Sequence, residues 1–285
     1  MPEAVSKASQ TRMDYRGLLA LPVALVLLSV ACSRAPQTAP AAAQRAADTG
    51  NADNAKAQIN SVVAVLPLQV SGDDADTQVF ADGLANHFTR ALAGLPGVAT
   101  ISAESAFRYR NSSELNSVIG DALGASHLLR GRVQRQAGVL QLDVELVQAA
   151  DGSSLWSQHY QRVEGELFAL QDDIVATLAK TLQANAGTRP KQDDRPPGGN
   201  VEAYTAVLRG DALAMQADIF SARQAVEAYQ HAVDLDPDYA YAHARLAQAR
   251  VRQITRFPLD DADVGTQGEL ARRDAATASR LASDL

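Results

Sequence analysis

Alternating apolar and polar residues near the middle of the chain predict two neighbouring β-strands. Every second residue of Leu140–Leu146 is apolar, and the residues between them are Gln, Asp and Glu, which is the period of a strand with one face in the core. The same alternation occupies Leu129–Gln134. Because Ala137-Gly138 lies between the two segments, the pattern predicts an antiparallel hairpin.

One register of this hairpin pairs apolar residues with apolar residues on one face and opposite charges on the other. If Val133 lies opposite Leu142, the two apolar faces coincide. Two arginines then lie opposite two acids: Arg130 opposite Glu145, and Arg132 opposite Asp143. The connection is either a two-residue turn at Ala137-Gly138 or a four-residue loop at Gln136–Val139. The longer loop is favoured, because Ala fits poorly where a tight hairpin turn needs φ > 0.

Hydrophobic periodicity and turn residues predict further elements on both sides of the hairpin. They are a buried strand at Val62–Leu68, a helix at Thr77–Leu95, a short strand at Val98–Ile101, a helix at Glu114–Leu123, a third antiparallel strand at Ser154–Gln161 and a closing helix at Glu166–Leu182. This order of strands and helices predicts the α+β fold class, with a mixed sheet packed against helices.

Five short sequence motifs in this region resemble those of a known protein family. They are VVAVLPLQV (62–70), FADGL (80–84), GASHLLRGRVQRQAG (124–138), DGSSLWSQHYQR (151–162) and ELFALQDDI (166–174). In order and spacing they resemble the TolB amino-terminal-like domain, although Leu68 stands where members commonly have Phe. The resemblance implies an α/β module that often precedes tetratricopeptide (TPR) repeats in bacterial proteins. It implies partner binding and no catalytic residue.

A change of composition marks a domain boundary. Residues 186–199 are rich in Pro, Gly and mixed charges, which is typical of a linker. The TolB-like α/β domain is therefore assigned to 58–185. A second, all-α domain is assigned to 200–285, where helix-forming residues predominate.

Small and aromatic residues in the second domain recur at the spacing of a TPR repeat. The positions that carry this resemblance are Gly210, Ala225, Tyr229, Ala232, Pro237 and Leu246. The resemblance implies paired helices that bind a protein or peptide partner.

The repeat pattern is incomplete at the carboxyl terminus. About one and a half to two repeats are present, whereas about three are normally needed for a stable array. A loop is expected after Pro258, followed by a last helix at about Glu269–Ala282 that leaves Leu270 and Leu281 uncovered. The open end is therefore expected to bind a partner or a second copy, unless the polypeptide is a truncated form of a longer one.

The amino terminus resembles a bacterial lipoprotein signal. Gly17–Ala31 is apolar throughout but only about 15 residues long, short of the ~20 of a spanning helix, and Arg16 supplies a positive flank. Cys32, the only cysteine, follows as in a lipobox, although Leu28 lies four positions before it rather than the usual three. We expect 1–32 to be a signal peptide and Cys32 to carry lipid. An uncleaved anchor and a plain secretory signal are the alternatives.

Residues 33–57 are rich in Ala, Gln and small polar residues without an apolar period, which predicts a flexible tether. Ser33 directly after the cysteine resembles outer-membrane-directed lipoproteins. The expected location is the periplasm, lipid-anchored, at the outer membrane rather than the inner one. Translation starts at Met1 or at Met13.

Composition and charge narrow the function further. A net charge of −7 and a pI near 5.2 argue against nucleic acid, which needs a concentrated basic face. One cysteine cannot form an internal disulfide. The five histidines have no second ligand at a metal-binding spacing, and no glycine-rich phosphate loop or serine elbow is present. We therefore expect no catalytic residue, no metal and no cofactor, and we expect that the protein is not an enzyme.

Two functional hypotheses remain. The favoured one is a membrane-tethered periplasmic adaptor whose repeats bind a protein or peptide. The alternative follows from the resemblance, because similar TolB-like and TPR regions form the sensory half of transcription regulators and adenylate cyclases. The lipobox stands where such proteins have their effector domain, which favours the adaptor.

Overall fold

A computed structural model describes residues 60–72, 74–184, 194–258 and 260–283. These residues fall in one compact unit, Asp53–Leu285. The predicted signal peptide with Cys32, the tether and most of the linker lie outside the described residues. None of the helices described is long and apolar enough to cross a membrane.

A mixed six-stranded sheet forms the centre of the α/β segment. Its strands are β1 Ser61–Val65, β2 Gln69–Val70, β3 Val98–Thr100, β4 His127–Gln136, β5 Val139–Gln148 and β6 Ser154–Val163. Their order is β3-β1-β4-β5-β6, with β2 paired to β4. β1 is parallel to β3 and β4, whereas β4, β5 and β6 are antiparallel. The strand predicted at Val62–Leu68 is interrupted, since Pro67 has no N–H for the ladder.

Helices cover both faces of the sheet and continue beyond it. They are α1 Ala75–Ala93, α2 Ala103–Ala106, α3 Asn116–Leu123, α4 Leu167–Thr181, α5 Val201–Ala214, α6 Ile219–Leu235, α7 Ala240–Arg256 and α8 Asp261–Ser283. The main core lies between the sheet, α1 and α4. A smaller core on the opposite face includes Ile119 of α3 and Leu128 of β4. The predicted α+β class, with helical hairpins after the sheet, is confirmed.

Helix α1 begins where a side chain caps it. The Asp74 carboxylate accepts a hydrogen bond from the Asp76 N–H at 3.1 Å, which satisfies one of the backbone donors that a helix start leaves free. One stripe of the helix is buried against the sheet, as its periodicity predicts. The stripe consists of Phe80, Leu84, Phe88 and Leu92.

The β4–β5 hairpin has the predicted register. The predicted pairs are all present: Val133 with Leu142, Gly131 with Val144, Arg130 with Glu145, and Arg132 with Asp143. Arg130 and Glu145 form an ion pair of 2.8 Å. The Asp143 carboxylate instead contacts His159 of β6 at 2.7 Å, so lying opposite does not by itself produce an ion pair.

The predicted four-residue loop of the hairpin is wrong. Gln136 pairs with Val139, and Ala137 and Gly138 alone form the turn, with φ of 52° and 75°. An L-residue in this left-handed region costs roughly 1–2 kcal/mol. The ladder of ten residues on each strand outweighs that cost.

Helices α1 and α5 join the two segments of the chain. They approach closely at Gly83, where a Cβ atom would lie 2.4 Å from the backbone oxygen of Leu208. One hydrophobic core contains Phe88 of α1, Leu170 of α4 and Tyr204 of α5. The α/β segment and the helices that follow therefore pack as one body.

The carboxyl-terminal helices pack in consecutive pairs, α5 with α6 and α7 with α8. Helix α8 begins at Asp261 rather than at the predicted Glu269, so the expected loop after Pro258 is short. Leu270 and Leu281 are half-buried. The expectation that they are uncovered is wrong, because α7 packs along α8.

Candidate functional site

A buried carboxylate lies where four helices meet. Asp211 of α5 is 0% exposed and faces two arginines. Arg90 of α1 donates to Asp211 Oδ2 at 2.8 Å, and Arg245 of α7 donates to Oδ1 at 2.8 Å. The hydroxyl of Tyr229, on α6, donates to the same Oδ1 at 2.7 Å. We call these four residues the Asp211 cluster.

Attraction to Asp211 keeps the two guanidinium groups of the cluster charged. Burial disfavours the charged form of Arg90 and Arg245, but the nearby Asp211 carboxylate outweighs it and raises the pKa of both guanidinium groups. Burial, together with the Asp211 charge, also raises the pKa of Tyr229, so its hydroxyl keeps the proton that it donates. The cluster thus ties α1 of the α/β segment to α5, α6 and α7.

A second polar group of residues lies at the same junction. One ring nitrogen of His87, on α1, is 3.1 Å from Asp194 Oδ2 and 2.7 Å from the Tyr204 hydroxyl. Gln171 of α4 donates to that hydroxyl at 3.1 Å, and Tyr239 donates to the backbone oxygen of Asp194. Burial lowers the pKa of His87, although the hydrogen bond to Asp194 favours its charged form. The imidazole is therefore neutral at pH 7.

A third set of polar contacts fixes the last two helices. Arg250 of α7 and Asp274 of α8 are both buried and lie 3.1 Å apart. The same guanidinium donates to Gln267 of α8 at 2.9 Å and to Gln230 of α6 at 2.8 Å. Since a buried guanidinium needs several acceptors in one geometry, these contacts fix α8 relative to α6 and α7.

A cleft opens between the end of α5, the start of α6 and the last turns of α7. It consists of two adjoining cavities of about 410 and 190 Å³. The larger cavity is lined by polar residues, including three members of the Asp211 cluster. The smaller one is lined mostly by alanines and by Phe257. The residues common to both cavities are Ala214, Gln216, Ala217, Ala249, Arg252 and Arg256. We call this feature the α7 cleft.

Arginines of one helical face line the α7 cleft. Arg245, Arg252 and Arg256 are spaced by seven and four residues, so they lie along the same side of α7. Arg245 is neutralised by Asp211, and Arg252 donates to the backbone oxygen of Ala214 at the end of α5. Arg256 is exposed and forms no ion pair with any residue that the structure describes.

One further acid lines the larger cavity. Glu104 of α2 is exposed, and neither Arg252 nor Arg256 forms an ion pair with it. With Asp211 already matched by Arg90 and Arg245, two arginines face one carboxylate. The α7 cleft therefore carries a net positive charge beside an apolar cavity, which is an arrangement suited to a carboxylate with a neighbouring aliphatic group.

The structure brings several sequence-predicted positions together. A Cβ atom at Gly210 would lie 2.5 Å from the ring of Tyr229, so this glycine allows α5 and α6 to approach. Ala225 lines the smaller cavity, while Ala232 and Leu246 are buried in the core between the helices. The remaining two positions are not part of these helices. Pro237 lies between α6 and α7, where its backbone oxygen is 3.0 Å from His243 Nε2, and Cys32 lies outside the described residues.

Sequence reasoning missed the residues that carry charge in the site. Asp211 follows the predicted Gly210 directly, yet a lone acid in a helix gives no signal of its own. The row of Arg245, Arg252 and Arg256 could have been found, because its spacing places three cations on one helical face. Within the described residues, no three His, Cys, Asp or Glu side chains are grouped so that they could hold a metal ion.

Comparisons with known proteins give the following similarities. No family model matches the chain. A protein of Rhizobium meliloti (strain 1021) named "Putative adenylate cyclase 3" is 27% identical over 187 residues, which are 65% of this chain and 32% of that protein. The chain thus spans about a third of the length of the curated relative that it matches.

Solved structures show weaker similarity. Lipoprotein GNA1162 from Neisseria meningitidis has 16% identity and a TM-score of 0.31, over 45% of this chain and 99% of that one. The LpoB C-terminal domain from Salmonella enterica has 15% identity and a TM-score of 0.28, over 38% and 87%. TolB from Acinetobacter baumannii has 10% identity and a TM-score of 0.29, over 43% and 28%.

Proposed function

We propose that this protein is a non-enzymatic adaptor of the bacterial envelope that binds a protein partner through the α7 cleft. The observation that carries the proposal is a concave, positively charged cleft set on helices that buried ion pairs hold in place. The resemblance of the two segments to TolB-like and TPR sequences supports it. In this proposal the α/β segment acts as the fixed support of the helices that bind.

Photocrosslinking of a partner protein at the α7 cleft tests this function. A photoreactive amino acid at Gln248, which lines the cleft, should crosslink a partner in cells, whereas the same group at exposed Arg223 should not. The partner is then identified and purified. Its binding to the full chain should be lost in a double variant Arg252→Glu, Arg256→Glu and kept in Arg223→Glu. Binding unaffected by the double variant would contradict the proposal.

We further propose that the adaptor is anchored by lipid on Cys32 at the periplasmic side of the outer membrane. The signal-like segment before Cys32 and Ser33 after it support this location. Mass spectrometry of the mature protein should find an acylated residue 32 as the amino terminus. Cys32→Ser should leave the membrane fraction, and an intact Met1 or Met13 terminus in membranes would contradict the anchor.

A second candidate is the regulatory part of a signalling protein. The match to part of a protein named as an adenylate cyclase favours it. In this case the partner crosslinked at Gln248 is a catalytic or DNA-binding polypeptide, and it binds without dependence on Cys32. A partner that is itself an envelope protein favours the adaptor.

A further inference from the structure

The two cavities of the α7 cleft differ in chemistry but share a wall. Arg252 and Arg256 line both of them, so a group held by these guanidiniums lies next to the apolar space. The smaller cavity has a volume of about 190 Å³. Apolar cavities of about 150 Å³ can take up a molecule the size of benzene, so this one accommodates a single aliphatic side chain.

The arginines select an anion rather than a neutral group. Arg252 already donates to the Ala214 carbonyl, which orients its guanidinium at the rim, and Arg256 has no carboxylate partner among the described residues. A carboxylate can accept two parallel N–H bonds from one guanidinium. Glu104, across the larger cavity, disfavours anions that carry several charges.

Because Arg252 and Arg256 line both cavities, the anion site adjoins the apolar site, and this restricts the kind of carboxylate. The last residue of a polypeptide bears its free carboxylate and its side chain on the same carbon atom. An internal Asp or Glu bears its carboxylate on the side chain, so the same residue has no apolar group to offer. In an extended segment the adjacent side chains point to the other face, and the next side chain on the same face lies two residues, about 6.5 Å, along the strand. A carboxyl-terminal aliphatic residue therefore holds its carboxylate and its apolar group closer together than an internal acid and its neighbours can, and it is the occupant that best matches the shared wall of the two cavities.

We infer that the α7 cleft binds the carboxyl terminus of a partner protein that ends in an aliphatic residue. The terminal carboxylate contacts Arg252 and Arg256, and the last side chain enters the cavity lined by Ala217, Ala225 and Phe257. This inference rests on the proposed function and specifies the chemistry of its partner.

A peptide library tests the inference with the full chain. Peptides with four randomised last residues and a free carboxyl terminus are selected on the immobilised protein, and the selected peptide is compared with its own carboxyl-terminal amide. The expected result is enrichment of Leu, Ile, Val or Met at the last position. The amide should bind at least about tenfold more weakly, since charge-assisted hydrogen bonds are lost.

Two substitutions separate the two halves of the site, and a third serves as the control. Arg256→Gln should weaken binding of the free acid to about the level of the amide. Ala217→Leu, at an exposed position of the apolar wall, should fill the cavity and weaken binding of peptides that end in Leu more than those that end in Ala. Arg223→Gln, on the outside of α6, is the matched control and should bind normally.

Other results overturn the inference. They are equal affinity for acid and amide, selection of an internal acid without a preference at the last residue, and no selected peptide. None of these results decides the proposed function, because photocrosslinking at Gln248 captures any partner of the cleft, whatever part of that partner binds.

Discussion

Asp211 is the residue on which the packing of four helices converges. Its carboxylate accepts hydrogen bonds from Arg90, Arg245 and Tyr229, and it has no contact with water. Buried ion pairs add little net stability compared with apolar packing, but removing one partner leaves the others without compensation. Asp211 therefore compensates the positive charges of two arginines at the junction.

Replacing this carboxylate should destabilise the whole protein. Asp211→Asn leaves Arg245 without its carboxylate and leaves Arg90 with only the more distant Asp194, at 3.6 Å, so we expect the free energy of unfolding to fall by about 3–5 kcal/mol. Urea unfolding measures the change. Asp234→Asn, at an exposed position of α6, is the control and should change stability by less than about 0.5 kcal/mol. A similar small change in Asp211→Asn would show that the cluster contributes little.

His87 gives stability a pH dependence of predictable sign. Burial lowers its pKa below the ordinary 6.5 despite Asp194, so below pH 6.5 the unfolded chain binds a proton that the folded chain does not. The neighbouring hydroxyl of Tyr204 and the guanidiniums of Arg90 and Arg195 also face this ring. Stability from His87 is thus fully present above pH 6.5 and is lost as the pH falls towards the folded-state pKa.

Comparing the pH dependence of stability in two histidine variants isolates the contribution of His87. Urea unfolding at pH 7 and pH 5 should show a smaller loss of stability on acidification in His87→Asn than in the unchanged chain. His231→Asn, at an exposed position, should keep the original loss. If His87→Asn and the unchanged chain lose the same stability between the two pH values, another group causes the dependence.

At the scale of elements, α1 and α5 depend on close backbone contact. The only side chain that fits at residue 83 is a hydrogen atom, because a Cβ would lie 2.4 Å from the Leu208 oxygen and 2.8 Å from its Cβ. Backbone cannot move aside as a flexible side chain can. The crossing of these helices therefore requires a glycine, although glycine is unfavourable within a helix.

The same substitution should have opposite effects in two helices. Gly83→Ala should destabilise by about 1–3 kcal/mol, the usual cost of overpacking. Gly265→Ala, in α8 with no atom within 4 Å of the new Cβ, should stabilise by about 0.5–1 kcal/mol through helix propensity. Thermal unfolding of both variants gives the comparison. A stabilising effect of Gly83→Ala would contradict the described crossing of α1 and α5.

The hairpin shows which features of the fold could be predicted from sequence. Its register follows from a period of two that fits only one alignment of the apolar faces, and the structure confirms it. Its turn could not be predicted from local preference, because the ladder forces Ala137 to φ 52°. The pairing of Asp143 with His159 also escaped prediction, since a third strand supplies the competing partner.

The charged residues of the site were harder to predict than the fold. Arg90 lies 121 positions from Asp211, and Arg245 lies 34 positions away. No periodicity links residues at such separations, whereas the small positions Gly210 and Ala225 belong to a local pattern. Sequence could therefore indicate paired helices, but not which charges meet between them.

At the scale of the whole molecule, the central feature is that its two segments behave as a single unit. The α/β segment and the helices that follow form one preorganised body, held by the shared core and by the Asp211 cluster. Preorganisation reduces the conformational cost of binding at the α7 cleft. Were the helices to unfold independently, the cleft would have no fixed geometry.

Unfolding monitored at one residue tests this claim most directly. Trp156 of β6 is the only tryptophan, so its fluorescence reports the sheet alone. Ala232→Gly, in the buried face of α6, should weaken that helix by about 1 kcal/mol. If the two segments unfold together, the urea midpoint of the Trp156 signal falls by the equivalent amount with an unchanged slope. An unchanged Trp156 midpoint in a variant whose helices melt earlier would contradict the account.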